Sequence, residues 1–287
     1  MTLTELLDWA RGQVRLENDA CLVDMIEAFE QPSGFLTGYL EAKFRAFIYH
    51  VPMPSDAPPM NYPDMGKTVF NYDYPKLLTH AVQQVNRYGG QALLIDEKFY
   101  PFNPLQPMYE RCRAMCAYVH STAFNAPTLF LDGDAFLNAD PMPVLATIKD
   151  VGVTYRNWNG LMPLNEGVIM AKPTDATRAF FRAYLATYEH LAETAEVKEH
   201  YGDVKRWRGG QLSLNAIASL GDVHDEMDCN TVAGADIRYL PCSTFNYAIE
   251  VDRDVPGAEL DQKLVLHLKG PRKRLVDQVV QYQGGKI

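Results

Sequence analysis

The chain has 287 residues, of which 47% are hydrophobic and 22% are charged, so it has the composition of a globular protein with one large or two small domains. The formal net charge of −9 disfavours general binding to a polyanion, and we therefore do not expect a nucleic-acid partner. No apolar run is long enough to predict a transmembrane segment. Five cysteines without a C-x-x-C pair, and an acidic amphipathic start unlike a secretory signal, predict a cytoplasmic protein without a disulfide framework.

Apolar spacing along the chain predicts helices that alternate with short buried strands. Helices are predicted over residues 3–30, 75–88, 106–123, 174–192 and 211–220. Strands are predicted over residues 46–51, 92–95, 129–131, 151–154, 167–170 and 264–267. This alternation predicts a single α/β domain, with a mixed, mostly parallel central sheet and helices on both faces. We expect residues 1–43 to form a helical segment packed on a core domain of residues 44–287.

The most informative motif is a pair of aspartates, Asp132 and Asp134, that directly follows the predicted strand 129–131. Open α/β sheets bind their ligands at the carboxyl ends of the strands, so we expect both carboxylates in that crevice. Two carboxylates at one such place need a cation to offset their charge. Oxygen ligands of this kind suit Mg²⁺ or Mn²⁺, which usually also hold substrate phosphates. A D-x-D pair by itself is also typical of a capped turn.

Two polar segments follow in the second half of the chain. Asn165, Glu166 and Gly167 precede a predicted strand. An asparagine side chain can donate to and accept from a hydroxylated substrate, and a glycine lets the backbone approach a ligand closely. Gln211 lies in the first turn of a predicted helix that two glycines open, where backbone N–H groups lack partners within the helix. A turn and a helix start explain these segments when each is taken singly.

A histidine and a group of cations complete the series near the end of the chain. His267 ends a predicted apolar strand, and Gly270 follows it in a tight turn. The cations of this segment are Lys269, Arg272, Lys273 and Arg274. A neutral imidazole is a common metal ligand, and lysine or arginine side chains behind it can hold a diphosphate beside that metal. Taken singly, the histidine is also explained as a structural residue with satisfied hydrogen bonds, and the cations as a solvated tail.

The order of these motifs resembles that of GT-A-fold glycosyltransferases, most closely the retaining family 8 group that contains glycogenin and bacterial lipopolysaccharide α-galactosyl- and α-glucosyltransferases. The motifs that carry the resemblance are Asp132-Gly133-Asp134, Asn165-Glu166-Gly167, Gln211 with Asn215, and His267-x-x-Gly270-x-x-Lys273. The resemblance implies a metal-dependent enzyme that uses Mn²⁺ or Mg²⁺ and moves a hexose from a UDP-sugar to a hydroxyl acceptor, with retention of anomeric configuration. It leaves open whether the acceptor is a glycan, a lipid-linked sugar or a small molecule.

The resemblance also implies roles for individual residues. The implied metal ligands are Asp132, Asp134 and His267. The implied donor-binding residues are Asp132, Gly133, Gly270 and Lys273, with His50 and Val51 at the nucleobase. The implied catalytic residues, around the transferred sugar, are Asn165, Glu166 and Gln211. Because a neutral amide is a poor nucleophile, we expect attack on the same face of the sugar, with the Gln211 carbonyl oxygen stabilising its positive charge.

One position departs from the family pattern. The family usually has an acidic residue immediately before the glutamine, where it contacts the donor sugar, and this chain has Gly210 there. The sequence leaves two candidates for the missing carboxylate, Asp203 and Glu166. We also expect Asp134→Ala to abolish metal-dependent UDP binding with little loss of stability, because it relieves clustered negative charge.

Two other classes of protein are compatible with parts of this sequence. A phosphohydrolase of the haloacid dehalogenase kind also has D-x-D after an apolar strand, and Asp222 and Asp225 imitate its later acidic motif. That class has Thr or Val after the second aspartate, whereas this chain has Ala135 there. That class also has the motif near its N-terminus, whereas here the motif lies in the middle of the chain. The other alternative is a sugar-nucleotide-binding protein without transfer activity, because Gly210 lacks the acid.

Overall fold

The structure, a computed structural model, describes residues 20–30, 42–50, 74–96, 100–156, 162–206, 208–218, 229–249 and 257–285. The N-terminal helix that the sequence predicts is present in part as helix α1, Ala20–Glu30. The rest of that helix, like most of the segment 1–43, lies outside the described residues, so a domain boundary after residue 43 stays a prediction.

Long helices form where apolar residues recur at helical spacing. They are α2 (Tyr74–Arg87), α3 (Pro107–His120), α5 (Asp175–Glu193) and α7 (Gly209–Ile217), all close to the predicted bounds. The side chain of Thr174 caps α5 by accepting a hydrogen bond from the Thr177 backbone N–H. The remaining helices are α4 (Met142–Thr147), α6 (Ala195–Tyr201), α8 (Cys242–Phe245), α9 (Gly257–Leu260) and α10 (Val276–Gly284), with a 3-10 helix at Gly270–Leu275.

The strands of the described residues form two sheets. The central sheet contains β1 (Arg45–Tyr49), β2 (Gln91–Ile95), β3 (Thr128–Asp132), β5 (Val151–Tyr155), β6 (Leu164–Ala171), β7 (Cys229–Val232) and β8 (Ala235–Pro241). The second sheet contains the short strands β4 (Ala135–Leu137), β9 (Tyr247–Ala248) and β10 (Val265–His267), in the order β4-β10-β9.

The strand order of the central sheet is β2-β1-β3-β6-β5-β8-β7. Strands β1, β2 and β3 are parallel, as are β5 and β8, whereas β6 and β7 run antiparallel to their neighbours. Five of these seven strands therefore point in the same direction, which confirms the predicted mixed, mostly parallel sheet. Because β6 runs the other way, its first residues lie at the edge where β1, β3, β5 and β8 end.

Alternate residues of the central strands pack on opposite faces of the sheet. Phe47 and Phe130 belong to a core with α1, α3, α5 and α7 on one face. Ile48 and Leu131 belong to a second core, with α2, α10 and the short second sheet, on the other face. Helices cover both faces, as the sequence predicts. Because a shift of one residue would move every apolar side chain to the wrong face, this burial fixes the strand register and the positions of the strand ends.

The structure departs from the sequence prediction at β6. This strand begins at Leu164 rather than at residue 167, so Asn165 and Glu166 lie within a strand and not in a turn before it. Its pairing with β5 shifts register between Val153 and Thr154. Irregularities of this kind re-aim side chains, and they are common beside functional sites.

The described helices include none with the length and apolar character needed to cross a membrane.

Candidate metal centre and its surroundings

Two strand ends bring the predicted metal ligands together. Asp132 ends β3, and a tight turn places Asp134 just before β4, which pairs with β10 so that His267 lies opposite Ala135. His267 Nε2 lies 3.0 Å from Asp134 Oδ1 and 3.4 Å from Asp132 Oδ2. One ligand atom of each side chain lies within 4.8 Å of the others. Two carboxylates and an imidazole at this spacing fit one divalent ion such as Mn²⁺.

Asn246 orients the histidine of this cluster. His267 Nδ1 lies 2.8 Å from Asn246 Oδ1, while Asn246 Nδ2 donates to Thr154 Oγ1 at 3.0 Å and to Asn165 Oδ1 at 2.6 Å. Since the amide oxygen can only accept, this network assigns the proton of the neutral imidazole to Nδ1. The Nε2 lone pair then faces the two aspartates, which is the orientation that a histidine ligand requires.

Burial and neighbouring charges shift the pKa values of Asp134 and His267. Lys273 Nζ lies 2.5 Å from Asp134 Oδ2. Burial opposes the ionisation of Asp134, but its contacts with His267 and Lys273 outweigh burial and hold the pKa of this carboxyl below its usual range. Burial, together with the charge of Lys269, lowers the pKa of His267 against the opposite effect of Asp134 and Asp132.

The ion pair between Asp134 and Lys273 corrects one expectation from the sequence. Both side chains are buried, so Asp134→Ala would leave an enclosed ammonium without this carboxylate. Removing one member of a buried pair costs about 3–5 kcal/mol, which exceeds any gain from relieved repulsion between the aspartates. From the structure we therefore expect Asp134→Ala to lower the free energy of unfolding, in place of the little loss of stability that the sequence predicts.

Asn165 and Gln211 lie next to each other, on the first residues of β6 and in the first turn of α7. Asn165 Nδ2 donates to Gln211 Oε1 at 3.3 Å. Asn165 Oδ1 accepts from the Gly167 backbone N–H at 3.1 Å and from Lys269 Nζ at 2.9 Å. Asn215, one turn further along α7, hydrogen-bonds both the N–H and the carbonyl of Leu164. These contacts fasten α7 to β6 and hold the amide of Gln211 beside that of Asn165.

Arg111, on α3, joins the metal cluster to Glu166. Its Nη2 lies 3.1 Å from Asp132 Oδ1 and donates to the Glu166 carbonyl at 2.8 Å, and its Nη1 lies 3.4 Å from Glu166 Oε2. Tyr184 Oη donates to the same Oε2 at 3.0 Å. Burial raises the pKa of Glu166, against the effect of Arg111. Glu166 is thus a partly buried carboxylate held by two partners, and it lies outside the cluster of three metal ligands.

The carboxylate of Glu166 occupies the space beside Gly210. A Cβ atom at position 210 would overlap Glu166 Oε2 and would lie 2.8 Å from Tyr184 Oη. Asp203 instead accepts a hydrogen bond from the Lys205 backbone N–H in a turn after α6. Of the two candidates that the sequence leaves for the missing acid, Glu166 is therefore the one whose carboxylate lies next to position 210.

The side chains of Asp132 and His267 fill the space that a side chain at position 167 would need. A Cβ atom there would lie 2.5 Å from His267 Cε1 and 2.8 Å from Asp132 Oδ2. Contacts this short do not occur in folded proteins without displacement of one partner. The glycine of the Asn165-Glu166-Gly167 motif therefore allows the backbone of β6 to lie close to the predicted metal ligands.

The remaining predicted donor-binding residues lie on the side of the cluster towards β1. His50 follows β1, and its ring stacks on that of Tyr74 with centroids 4.7 Å apart. Lys273 Nζ lies 5.8 Å from the centroid of the same Tyr74 ring. Gly270 has a φ of +53° at the start of the 3-10 helix that carries Lys273, a backbone conformation that favours glycine. Gly133 lies in the turn between β3 and β4, beside Leu78.

Val51, the second residue predicted at the nucleobase, lies outside the described residues.

The sequence motifs do not mark Arg111 or Asn246. A charged residue among the buried apolar positions of α3 is the one signal that Arg111 offers. Asn246 lies between two very short elements, α8 and β9, where periodicity carries no information. Both residues reach the cluster through contacts that span 21 or more positions of the chain.

Comparisons with known proteins give structural similarity but no sequence match: no family model and no curated protein matches the chain. A glycosyltransferase involved in the glycosylation of the major capsid of PBCV-1 aligns at 12% identity and a TM-score of 0.47, over 83% of this chain and 98% of that one. The galactosyltransferase LgtC, in complex with donor and acceptor sugar analogs, aligns at 13% identity and a TM-score of 0.44, over 84% and 95%. The glycosyltransferase GlyE of Streptococcus pneumoniae TIGR4 aligns at 14% identity and a TM-score of 0.47, over 84% and 60%.

These similar structures are glycosyltransferases, the class that the sequence motifs resemble. The function of this chain has to follow from its own site.

Proposed function

We propose that the protein is a metal-dependent glycosyltransferase that moves a hexose from a UDP-sugar to a hydroxyl acceptor with retention of anomeric configuration. The observation that carries the proposal is the convergence of Asp132, Asp134 and His267, with Lys273 beside them, at the carboxyl ends of the strands. An open α/β sheet binds ligands at that edge, and a divalent ion with a lysine beside it suits a diphosphate. The acceptor is a glycan, a lipid-linked sugar or a small molecule.

The donor would lie across the ends of β1, β3 and β6. Asp132, Asp134 and His267 would hold Mn²⁺ or Mg²⁺, and the bound ion would offset the charge of the diphosphate leaving group as a Lewis acid. Lys273 and the backbone of Gly270 would contact the same phosphates. Lys273 contributes a fixed positive charge there, and charge that is oriented before the reaction lowers the barrier.

Asn165, Gln211 and Glu166 would surround the transferred sugar. The hydrogen bond from Asn165 fixes the amide of Gln211, whose carbonyl oxygen would stabilise an oxocarbenium-like sugar during same-face attack. Glu166 is held by Arg111 and Tyr184, which supports a role as a hydrogen-bond acceptor for a sugar hydroxyl. Finding a covalent sugar on Glu166 would contradict same-face attack.

A cytoplasmic location is part of the proposal. Cys112, Cys116 and Cys242 are free thiols, and Cys112 and Cys116 are buried on α3. Free buried thiols are typical of proteins in a reducing compartment.

A screen of UDP-sugars for Mn²⁺-dependent release of UDP tests this function. We expect release from at least one UDP-hexose, its loss in EDTA, and an α-configured product in proton NMR when an acceptor is supplied. UDP binding without release from any UDP-sugar would instead indicate a non-catalytic binding protein. Rapid Mg²⁺-dependent turnover of p-nitrophenyl phosphate, without release of UDP, would indicate a phosphohydrolase.

A further inference from the structure

A second group of polar side chains lies at the same edge of the central sheet, beyond Asn165. The strand pairings place Tyr49 beside Asp132, and Tyr155 beside both Leu164 and Pro241. Strand ends therefore follow one another along this edge in the order β1, β3, β6, β5 and β8. The order of residues in the crevice is His50, Asp132, Asn165, Arg156 and Cys242. If the donor lies across the first three, the next positions along the edge face the other side of the transferred sugar.

Lys269 brings a partly buried positive charge to this region. Its Nζ donates to Asn165 Oδ1 at 2.9 Å, which is a neutral acceptor. Throughout the described ranges, no carboxylate lies within ion-pair distance of this ammonium. Lys273, four residues later, is directly paired with Asp134. Asp132 and Asp134 act on this ammonium from beyond ion-pair distance, so part of its desolvation cost remains, and an anion bound in direct contact would offset it.

Arg156 adds a second positive charge to the same region. It follows β5 directly, and its backbone N–H donates to the Pro163 carbonyl at 2.8 Å, which fixes the start of its side chain at the sheet edge. The charge of Arg156 acts on Lys269, and both cations act on the Cys242 thiol at the start of α8. Two cations at one place bring the positive charge that a phosphate or a carboxylate requires, and lysine and arginine can both donate hydrogen bonds to such a group.

We propose that Lys269 and Arg156 form a subsite for an anionic group of the acceptor, a phosphate or a carboxylate. The acceptor hydroxyl would then lie next to Asn165 and Gln211. This inference rests on the proposed function, because it takes the donor sugar to lie at those two amides. It narrows the acceptor to a molecule that carries an acidic group close to its reacting hydroxyl.

Calorimetric titration of the protein with small probes tests the subsite. The protein is loaded with Mn²⁺ and UDP and then titrated with glycerol 3-phosphate, with glycerate and with glycerol. We expect one or both anions to bind and glycerol not to bind. The stronger of the two anions tells whether the subsite suits a phosphate or a carboxylate.

Matched variants assign the binding to the two cations. Arg156→Gln and Lys269→Met should each weaken binding of the anion by about tenfold or more, the loss expected for a charged hydrogen bond. Arg178→Gln on α5 and Lys149→Met beside Asp236 remove the same charges far from this edge, and they should not weaken it. Arg156→Gln should leave the affinity for UDP within about twofold of its original value, since Arg156 lies beyond the sugar. Far-UV circular dichroism checks that each variant is folded.

Three results would overturn the inference: neither anion binds, Arg156→Gln binds them as Arg178→Gln does, or the anions displace UDP. The last result would assign the two cations to the diphosphate of the donor. The anions are also titrated without nucleotide, so that the subsite is tested even if UDP does not bind. Absence of UDP binding with Mn²⁺ would count against the proposed function, whereas UDP binding without anion binding would reject this inference alone.

Discussion

At the scale of single residues, the tautomer of His267 decides whether the cluster can hold a metal. Asn246 sets that tautomer through its Oδ1, and residues that orient a ligand in this way are worth about 10- to 100-fold in metal affinity. We therefore expect Asn246→Ala to weaken Mn²⁺ binding by about that factor, as measured by electron paramagnetic resonance of the free ion. Asn246→Asp keeps an oxygen acceptor for Nδ1 but loses the donor to Asn165 and Thr154, so it should restore only part of the affinity.

A second buried asparagine provides the control for this prediction. Asn138 donates through Nδ2 to the carbonyls of Leu260 and Lys263, away from the metal ligands. Asn138→Ala should lower the free energy of unfolding without changing Mn²⁺ affinity. If Asn246→Ala bound Mn²⁺ as tightly as Asn138→Ala, the orienting role of Asn246 would be wrong.

Some site residues are marked by the sequence immediately around them, whereas others are placed only by contacts between distant segments of the chain. Asp132, Asp134 and His267 each lie directly at the end of an apolar run, so local pattern predicts their place at a sheet edge. Arg111 and Asn246 act through contacts between distant segments and have no motif of their own. Which side chain occupies the space beside Gly210 is likewise decided by packing, and the sequence offered Glu166 and Asp203 equally.

At the scale of elements, the close approach of α7 to β6 makes an unusual demand on a helix. Alanine in place of glycine within a helix ordinarily raises stability by up to about 1 kcal/mol. At position 210 the added methyl group would overlap the Glu166 carboxylate, which Arg111 and Tyr184 hold in place, and overpacking of this kind costs about 1–3 kcal/mol. The overlap outweighs the propensity, so we expect Gly210→Ala to lower the free energy of unfolding in urea.

Two comparisons isolate the cause of that loss. Gly284, the last residue of α10, has no atom within 4 Å of a Cβ position, so Gly284→Ala should be neutral or slightly stabilising. In a Glu166→Ala background the carboxylate is gone and Tyr184 Oη, 2.8 Å from the Cβ position, remains, so Gly210→Ala should cost less there than in the original protein. Gly210→Ala behaving like Gly284→Ala in the original protein would show that the carboxylate does not occupy this space.

The long elements follow from the sequence because their periodicity extends over several turns. The predicted helices α2, α3, α5 and α7 are confirmed for this reason. The start of strand β6 does not follow from the sequence, because Asn165, Glu166 and Gly167 have the composition of a turn. In the structure this segment nevertheless lies in a strand, where the pairing with β5 shifts register. Tertiary packing of α7 and the metal ligands, rather than local propensity, holds those three residues in a strand.

At the scale of the whole molecule, a partly buried histidine makes stability depend on pH. Burial, against the effect of a hydrogen bond with the Cys116 carbonyl, lowers the pKa of His120 to about 4. Between pH 6.5 and about 4 the unfolded chain takes up a proton at this residue and the folded chain does not, so stability falls as the pH falls through that window.

The variant His120→Gln removes this titration. We expect its free energy of unfolding, measured in urea at pH 7 and pH 4.5, to fall by about 1–2 kcal/mol less than that of the original protein. The value allows for the partial exposure of the side chain. Equal losses in the two proteins would mean that His120 takes up its proton as readily in the folded chain as in the unfolded one.

The proposed activity depends on the whole fold, because two sheets must bring Asp132, Asp134 and His267 to one ion. Calorimetric titration with UDP, in Mn²⁺ and in EDTA, measures most directly whether these three residues hold an ion that binds the nucleotide. Asp134→Asn is the test variant, and Asp175→Asn, at an exposed position, is its control. We expect Mn²⁺ to tighten UDP binding by about tenfold or more in the original protein and in Asp175→Asn, and to have no such effect in folded Asp134→Asn. Equally tight UDP binding in EDTA, or an unchanged Mn²⁺ effect in Asp134→Asn, would contradict the account.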